Sequence, residues 1–396
     1  MKILSYLNVS NGSNLEADSG FVFQKILLQK LAEFGHKVIL IGPPDMPSIS
    51  SEIQLIEIDI PESKFGVRYG FPWVDLQNKL KKSIEGTDIL LVNQSELSIA
   101  LSTLVFEITQ TIIPCITYHH YLAVSDFDNQ QVVYDPSQDW NGLGKHTWLR
   151  QVDSARFSTM NIIGSRYGKD LFIRCSGDLS LTDKFEIIPP PTPYSAFSKA
   201  VSNTVPIILY NHRLYDHYGG TVIFQILEKI SQRYQFKVIV TDPTSKRSLV
   251  RESLDQSVSN IKAYLRTLSF VEIVHFETQN QYQAALNHID IGIAPLRTGA
   301  LWSMSIADMM SKKIPVVAFN KGAYAEEISD EDLLFNNEAE FENIFVELIT
   351  DTNFRLGKGE KAYRRSQEFA TENIALKFER VFEGVLKKDE NYEDAS

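Results

Sequence analysis

Short apolar runs recur along this chain, and most are followed by a stretch with helical spacing. "KILSYL" leads through a loop to "GFVFQKILLQKLAEFG", an amphipathic segment in which Gly35 is placed to close the helix. "KVILIG", the shorter "IQLIEID", "DILLVN", "PCITYHH", "TMNIIGS" and "KFEII" follow. Helical patterns lie between several of them: "PWVDLQNKLKKSIEG", residues 95–111 and "RYGKDLFIRC". The runs are apolar on consecutive positions, which marks strands covered on both faces. Their alternation with helices predicts an α/β fold built on a parallel sheet.

The triple proline Pro189–Pro191, with Thr192 and Pro193 behind it, interrupts this rhythm. Proline removes backbone donors and fixes φ, so the stretch predicts a stiff interdomain linker. Beyond it "VPIILYN", "FKVIVTD", "VEIVHF", "IGIAPL" and "IPVVAF" read as strands. Helices are predicted over 244–266, "NQYQAALNHI", "SMSIADMMSKK" and 338–351, and a long amphipathic one over Lys361–Leu386. The expectation is two doubly wound domains, 1–190 and 191–360. A closing helix over 361–388 packs back toward the first domain, and 389–396 forms a disordered acidic tail. A ligand is expected in a cleft between the domains, at the carboxyl ends of the strands.

Composition narrows the class. At 396 residues the chain is long for one core. Its net charge of −11 makes it a poor general binder of phosphate backbones. The two cysteines, Cys115 and Cys175, have neither pairing nor metal-ligand spacing and suit a reducing compartment. "MKILSYLNVS" reads as a first strand rather than a signal peptide, and no run approaches the roughly 18 apolar residues of a membrane span. These features together point to a cytoplasmic enzyme or binding protein.

Two segments carry candidate chemistry. In "ILYNHRLYDHYGG" an apolar strand ends in a polar, cationic loop, and Gly219 and Gly220 open the next helix. Free N–H groups and the helix dipole there favour an anion, and Arg213 adds a permanent forked cation. Phosphate or diphosphate fits, with His212 and Tyr218 beside it. In "IAPLRTGALWSMSIADMMSKK" a second loop reaches a helix that begins near Ser303. Ser303, Ser305 and the local N–H groups suit phosphate, while a carboxylate at Asp308 suits the two hydroxyls of a ribose.

"SMSIADMMSKKIPVVAFNKGAYAEEI" resembles the donor-binding segment of retaining glycosyltransferases of the GT-B fold. Their pattern is Glu, seven residues, Glu, then "AMACGxPVVA" and a Gly-containing loop ending in Glu. Asp308 stands at the second Glu, "IPVVAF" at the strand and "KGAYAEE" at the loop. "MKILSYL…GHKVILIGP" is similar to the family's opening and "KFEIIPPPTPYSAF" to its linker, so the likeness runs through nearly the whole chain. It implies two Rossmann-like domains and a nucleotide-diphosphate sugar as donor, a UDP-sugar first. No bound cofactor and no metal are implied. Arg213 falls at the family's diphosphate-binding Arg, and main-chain groups around Phe276 and Thr278 in "HFETQNQYQAAL" at its base-binding turn. Two positions depart from the pattern. Ala300 replaces the first Glu, and Tyr218 replaces a Lys five residues after the Arg, a loss that His217 partly offsets. In retaining enzymes of this kind the leaving phosphate is thought to take the acceptor's proton, so no side chain is assigned as base.

The N-terminal half is expected to bind the acceptor. Asp18, Ser19 and Gly20 lie at the start of the first helix. The resemblance also implies a His beside the donor sugar, met by His119 or His120 at the end of "ITYHH". Adjacent strand residues face opposite ways, so one of the pair faces the ligand and the other packs, and no third group completes a metal site. From Lys145 to Arg174 there are six Lys or Arg and two Asp, a local charge of +4. His146, Trp148, Phe157 and Tyr167 interleave with Arg150 and its neighbours, behind a long loop, "SDFDNQQVVYDPSQDWNGLG". Basic residues with aromatics suit a phosphate backbone and an extruded base. The "NHR" loop resembles that of enzymes glycosylating nucleobases, namely the queuosine-tRNA mannosyltransferase type and phage enzymes acting on hydroxymethylated DNA. The expected acceptor is therefore a hydroxymethylpyrimidine in phage-type DNA. A saccharide, glycolipid or small-molecule acceptor, and a non-catalytic GT-B scaffold, stand as alternatives.

Overall fold

A computed structural model of the chain describes residues 1–7, 15, 18–44, 46, 50–59, 64–135, 142–193, 203–241 and 256–393. The chain divides into two compact units, Met1–Pro191 with Ala370–Ser396, and Thr192–Phe369.

In the first unit the apolar runs become β1 (Lys2–Tyr6), β2 (Lys37–Gly42), β3 (Ile53–Glu57), β4 (Ile89–Val92) and β5 (Cys115–His119). They are followed by β6 (Val124–Asp128), β7 (Gln131–Tyr134), β8 (Met160–Ile163) and β9 (Phe185–Ile187). Seven of these form one parallel sheet in the order β3-β2-β1-β4-β5-β8-β9. Asp18 caps the helix Ser19–Glu33, and Gly35, at φ +88, ends it where an L side chain is disfavoured. The segment expected as one long loop starts instead as an antiparallel hairpin, β6 with β7. Asn129 and Gln130, at φ +44 and +62, close its turn. Residues 136–141 of that segment lie outside the described residues, as do 8–14, 16 and 17 after β1.

In the second unit the strands are β10 (Ile207–Tyr210), β11 (Lys237–Thr241), β12 (Val271–Val274), β13 (Ile291–Ile293), β14 (Val316–Phe319) and β15 (Leu334–Phe335). They form a parallel sheet in the order β12-β11-β10-β13-β14-β15. Strand order therefore reverses between β10 and β13 here, and between β1 and β4 in the first unit. At such a switch the loops leaving the two strands diverge, which opens a crevice at the carboxyl edge. Of the helix expected over 244–266, Ser257–Leu265 is helical, and 244–255 lie outside the described residues.

The helix expected over Lys361–Leu386 is two helices. Thr352–Ser366 stays in the second unit and Thr371–Glu393 joins the first. Neither Gly nor Pro marks the break. Phe369 makes it: its ring is buried 4.7 Å from Trp302, and its carbonyl accepts from the Thr192 N–H at 2.8 Å. The apolar period is the same on both sides, so periodicity alone merges them. The second helix also runs through most of the expected tail, whose residues 394–396 lie outside the described residues. It buries Ile374, Ala375, Phe378, Phe382 and Val385, a stripe at helical spacing. Phe378 lies 6.1 Å from Tyr118 and 6.3 Å from Phe23, ring to ring. Phe378→Ala is expected to destabilise this unit by about 3–5 kcal/mol in urea melts. A loss under about 1 kcal/mol would mean that the C-terminal helix is not anchored through this stripe.

Among the described residues no helix is long and apolar enough to cross a membrane. Cys115 is buried and Cys175 half-buried, both as free thiols.

Candidate functional site

The two segments singled out in the sequence leave the two strands at the switch of the second unit. After β10 come Asn211, His212 and Arg213. A short turn, Asp216–Tyr218, then leads to Gly219 at φ +67 and the helix Gly220–Ser231. A Cβ at Gly219 would lie 2.6 Å from Leu296, and one at Gly220 2.9 Å from Ile261. The glycines thus let the turn seat tightly against its neighbours. The first-turn N–H groups that follow have no partner within the helix. Arg213 is exposed and forms no ion pair with a described residue. His212 is buried, and burial drives its imidazole down to about 3, so the ring is neutral. Its Nδ1 lies 3.5 Å from the Ser305 hydroxyl, which lies 3.0 Å from that of Ser303. Two segments far apart in sequence are joined through this chain of contacts.

Asp308 sits on the helix Met304–Ser311, buried, with its carboxyl raised to about 7 by burial. Lys312 and the Tyr282 hydroxyl pull in the opposite direction. Tyr282, on the helix Gln279–Leu286, is itself buried near Asn211, and Asn211 Oδ1 accepts from Thr241 Oγ1 at 2.6 Å. Asn211, Tyr282 and Asp308 thus lie close enough to interact, on three segments at the carboxyl edge.

The start of the Met304–Ser311 helix does not match the expected anion site. Glu327, fully buried, accepts the Ser303 N–H at 3.0 Å. A carboxyl group of the chain already takes that N–H, and the Ser303 and Ser305 hydroxyls lie 3.0 Å apart and bond each other. Burial raises the Glu327 carboxyl well above its ordinary range, with the Ser303 N–H and Arg365 opposing. At the expected base-binding turn, Thr278 caps the following helix by accepting from the Gln281 N–H at 3.3 Å. Phe276 is half-buried, 6.0 Å from the Tyr282 ring.

In the first unit, Asp18 is engaged by its own helix: its carboxylate accepts the Gly20 and Phe21 N–H groups at 3.0 and 3.1 Å. Ser19 Oγ lies 2.9 Å from His120 Nε2, so those two expected residues do meet. His119 does not join them. It is buried between Phe172 and Phe185, bonds Asn161 at 3.0 Å, and is held down to about 4 by burial. Strand alternation separates the pair as expected, with His119 as the packing residue and no longer a catalytic candidate. Trp148 is also core, 5% exposed and 4.9 Å from Phe172, so it offers no face to a base. Its helix, Leu143–Phe157, turns that side inward and leaves Lys145, Arg150 and Arg156 exposed. Arg156 is paired with Asp178 at 2.8 Å.

Residues 205–351 match the family model described as Glycosyl transferases group 1. The chain carries a group 1 glycosyltransferase domain. No curated protein matches it. Among solved structures, sucrose-phosphate synthase from Thermosynechococcus elongatus is 15% identical with a TM-score of 0.71, over 98% of this chain and 100% of that one. A Rickettsia africae glycosyltransferase is 18% identical, TM-score 0.67, over 98% of both chains. HepE of Anabaena, solved with UDP and glucose, is 14% identical, TM-score 0.65, over 97% of this chain and 99% of that one. At these identities the likeness speaks for the fold, which is GT-B: two Rossmann-like domains.

The glycosyltransferase domain also holds two residues to which sequence reasoning gave no role. Glu327 stood in a recognised motif, yet its burial beneath the Ser303 helix start has no sequence signal. Arg297, in the loop after β13, donates from Nη1 to the Tyr218 hydroxyl at 3.4 Å. Its signal was there: a lone cation leaving the second strand of the switch. In the first unit a buried network was missed as well. Arg68 bonds Glu96 at 3.3 Å and lies 4.6 Å over the Tyr121 ring, and Tyr121 donates a short hydrogen bond to the same carboxylate.

Proposed function

We propose that this glycosyltransferase moves a sugar, with retention, from a UDP-sugar to a hydroxyl acceptor. The observation that carries the reading is the loop after β10: it presents an exposed Arg213, its His212 lies 3.5 Å from Ser305 on the helix of Asp308, and it runs into the open first turn of Gly220–Ser231. Arg213 and the first-turn N–H groups bind the donor diphosphate. The bond from sugar C1 to the diphosphate oxygen breaks with its electron pair going to that oxygen, and they stabilise the charge that develops there. The acceptor hydroxyl bonds to C1 on the face the diphosphate leaves, and its proton passes to the departing phosphate oxygen. Asp308, ionised, accepts from the ribose hydroxyls. In the first unit the Ser19 and His120 pair holds a hydroxyl of a substrate. The choice of UDP is supported by HepE, which was solved with UDP and glucose and with UDP-glucose.

For the acceptor, the burial of Trp148 removes the stacking platform on which the DNA reading leaned. Net charge of −11 also opposes a nucleic acid, and what is left for it is the exposed basic face around Arg150. A saccharide, glycolipid or small-molecule hydroxyl is the better reading.

Thermal melting with UDP, GDP and ADP tests the donor. At a hundredfold excess over Kd, UDP adds about 2.7 kcal/mol, a rise on the order of 5 °C for a domain of this size. No rise with any of the three overturns the proposal. Transfer from the UDP-sugar to hydroxymethylated DNA, lost on Arg150→Glu, would return the acceptor to the nucleobase reading.

A further inference from the structure

The turn that precedes the Gly220–Ser231 helix is held by the loop after β13. Leu296 packs so closely on Gly219 that any side chain there would meet it at 2.6 Å. The Leu296 N–H also donates to the Tyr218 carbonyl at 2.9 Å. Two residues on, the Thr298 carbonyl lies 2.6 Å from where a Cβ on Gly322 would stand, and Gly322 adopts φ +65. The loop is therefore fixed on both sides of Arg297. Arg297 is half-buried, with its guanidinium carbon 5.6 Å from the Tyr218 ring centroid and Nη1 donating to the Tyr218 hydroxyl. An aromatic face and a hydroxyl both orient the cation, which limits the rotamers it loses on binding an anion.

We propose that Arg297 is the second cation of the donor diphosphate site, positioned by Tyr218. The inference rests on reading the second unit as the donor site, and it names the residue that completes it. A nucleoside diphosphate has two phosphates, and Arg213 at one end of the turn supplies a single fork. Position 218, at the other end, has a phenol where the pattern that this loop resembles has a lysine. The phenol cannot neutralise charge. It does hold a guanidinium delivered by a different strand, so the charge missing from one segment is supplied by the other. Arg297 leaves from β13 and Arg213 from β10, so the two cations flank the switch at which the loops part. A forked guanidinium held in this way can donate to phosphate oxygens with two N–H groups.

The test is calorimetric titration of the full chain with UDP and with UMP. Wild type, Arg213→Ala, Arg297→Ala, Arg297→Lys and the double variant Tyr218→Lys with Arg297→Ala are compared. Arg297→Ala is expected to weaken UDP by about 10- to 100-fold, the range for losing a charged hydrogen-bonding partner, and UMP by less than about threefold. Arg297→Lys keeps part of the affinity, because it keeps charge without the fork. Placing lysine at 218 in the Arg297→Ala background recovers most of the loss, which a merely structural role for Arg297 would not allow. UDP affinity unchanged in Arg297→Ala while Arg213→Ala loses it overturns the inference and leaves the donor reading standing. Equal losses for UDP and UMP, with no recovery by the lysine, overturn it too. A wild-type chain that binds neither UDP, GDP nor ADP overturns the donor reading and this inference together.

Discussion

Arg213→Ala is expected to lower kcat/KM for sugar transfer by about 10²- to 10³-fold, the range for removing one preorganised donor from a developing oxyanion. The melting temperature of the unliganded variant is expected within about 2 °C of wild type. Both parts follow from where the side chain stands. It is exposed and forms no ion pair with a described residue, so the fold does not lean on it. It leaves the strand that ends at the switch and lies ahead of an open helix start, where an anion gains from several N–H groups at once. Charge on the diphosphate rises as the bond to the sugar breaks, so the loss belongs mostly in kcat rather than in KM. Arg213→Lys should recover part of it, since lysine restores the charge without the fork. Steady-state kinetics with the UDP-sugar, beside a melt of the same sample, decides the matter. Turnover near wild type in Arg213→Ala would remove the diphosphate from this loop. A fall in turnover accompanied by a large drop in melting temperature would make Arg213 a structural residue.

The sheet architecture was legible because buried parallel strands leave a plain trace, a run of apolar residues with no polar alternation. "KILSYL", "DILLVN" and "IPVVAF" each became a strand in a parallel sheet. The loop from Asn211 to Gly220 was legible for a related reason. An apolar strand, a cation and paired glycines in order specify a turn whose backbone must come close to something. What stayed hidden depends on which way a side chain points. Trp148 and Arg150 are two residues apart on one helix, and the aromatic faces the core while the cation faces outward. An interleaved string of bases and aromatics cannot tell that arrangement from a binding strip. Asp18 and Glu327 were concealed by another effect. Each satisfies backbone N–H at a helix start with the chain's own carboxyl group, and a helix start reads the same in sequence whether it is vacant or already capped. The break at Gln367–Phe369 has no local mark because a long-range contact, Phe369 on Trp302, creates it.

The pH dependence of Asp308 gives the second large effect, and its sign separates a donor ligand from a structural carboxylate. Burial raises this carboxyl from 3.8 to about 7, against the pull of Lys312 and Tyr282. A folded-state pKa above the unfolded one means that the native protein holds the proton more tightly across that window. Stability then falls as pH rises from the unfolded value toward about 7, and above it the full penalty applies. A rise of that size corresponds to about 4 kcal/mol. Asp308→Asn, which cannot ionise, is therefore expected to melt several degrees higher than wild type at pH 8 and to match it near pH 4. The same substitution removes a charged acceptor for ribose hydroxyls, so UDP should bind about 10- to 100-fold more weakly. Wild-type affinity for UDP should rise as pH climbs through about 7, because only the carboxylate accepts both hydroxyls. In the variant that slope should shrink to the part supplied by UDP's own terminal phosphate, which loses its last proton at about pH 6. A variant that is no more stable at pH 8, and that keeps the wild-type slope in UDP affinity, would show that Asp308 neither carries the penalty nor meets the ribose. A gain in stability accompanied by a loss of ligand affinity is the pattern of a site residue held in an environment that suits its ligand better than its own fold.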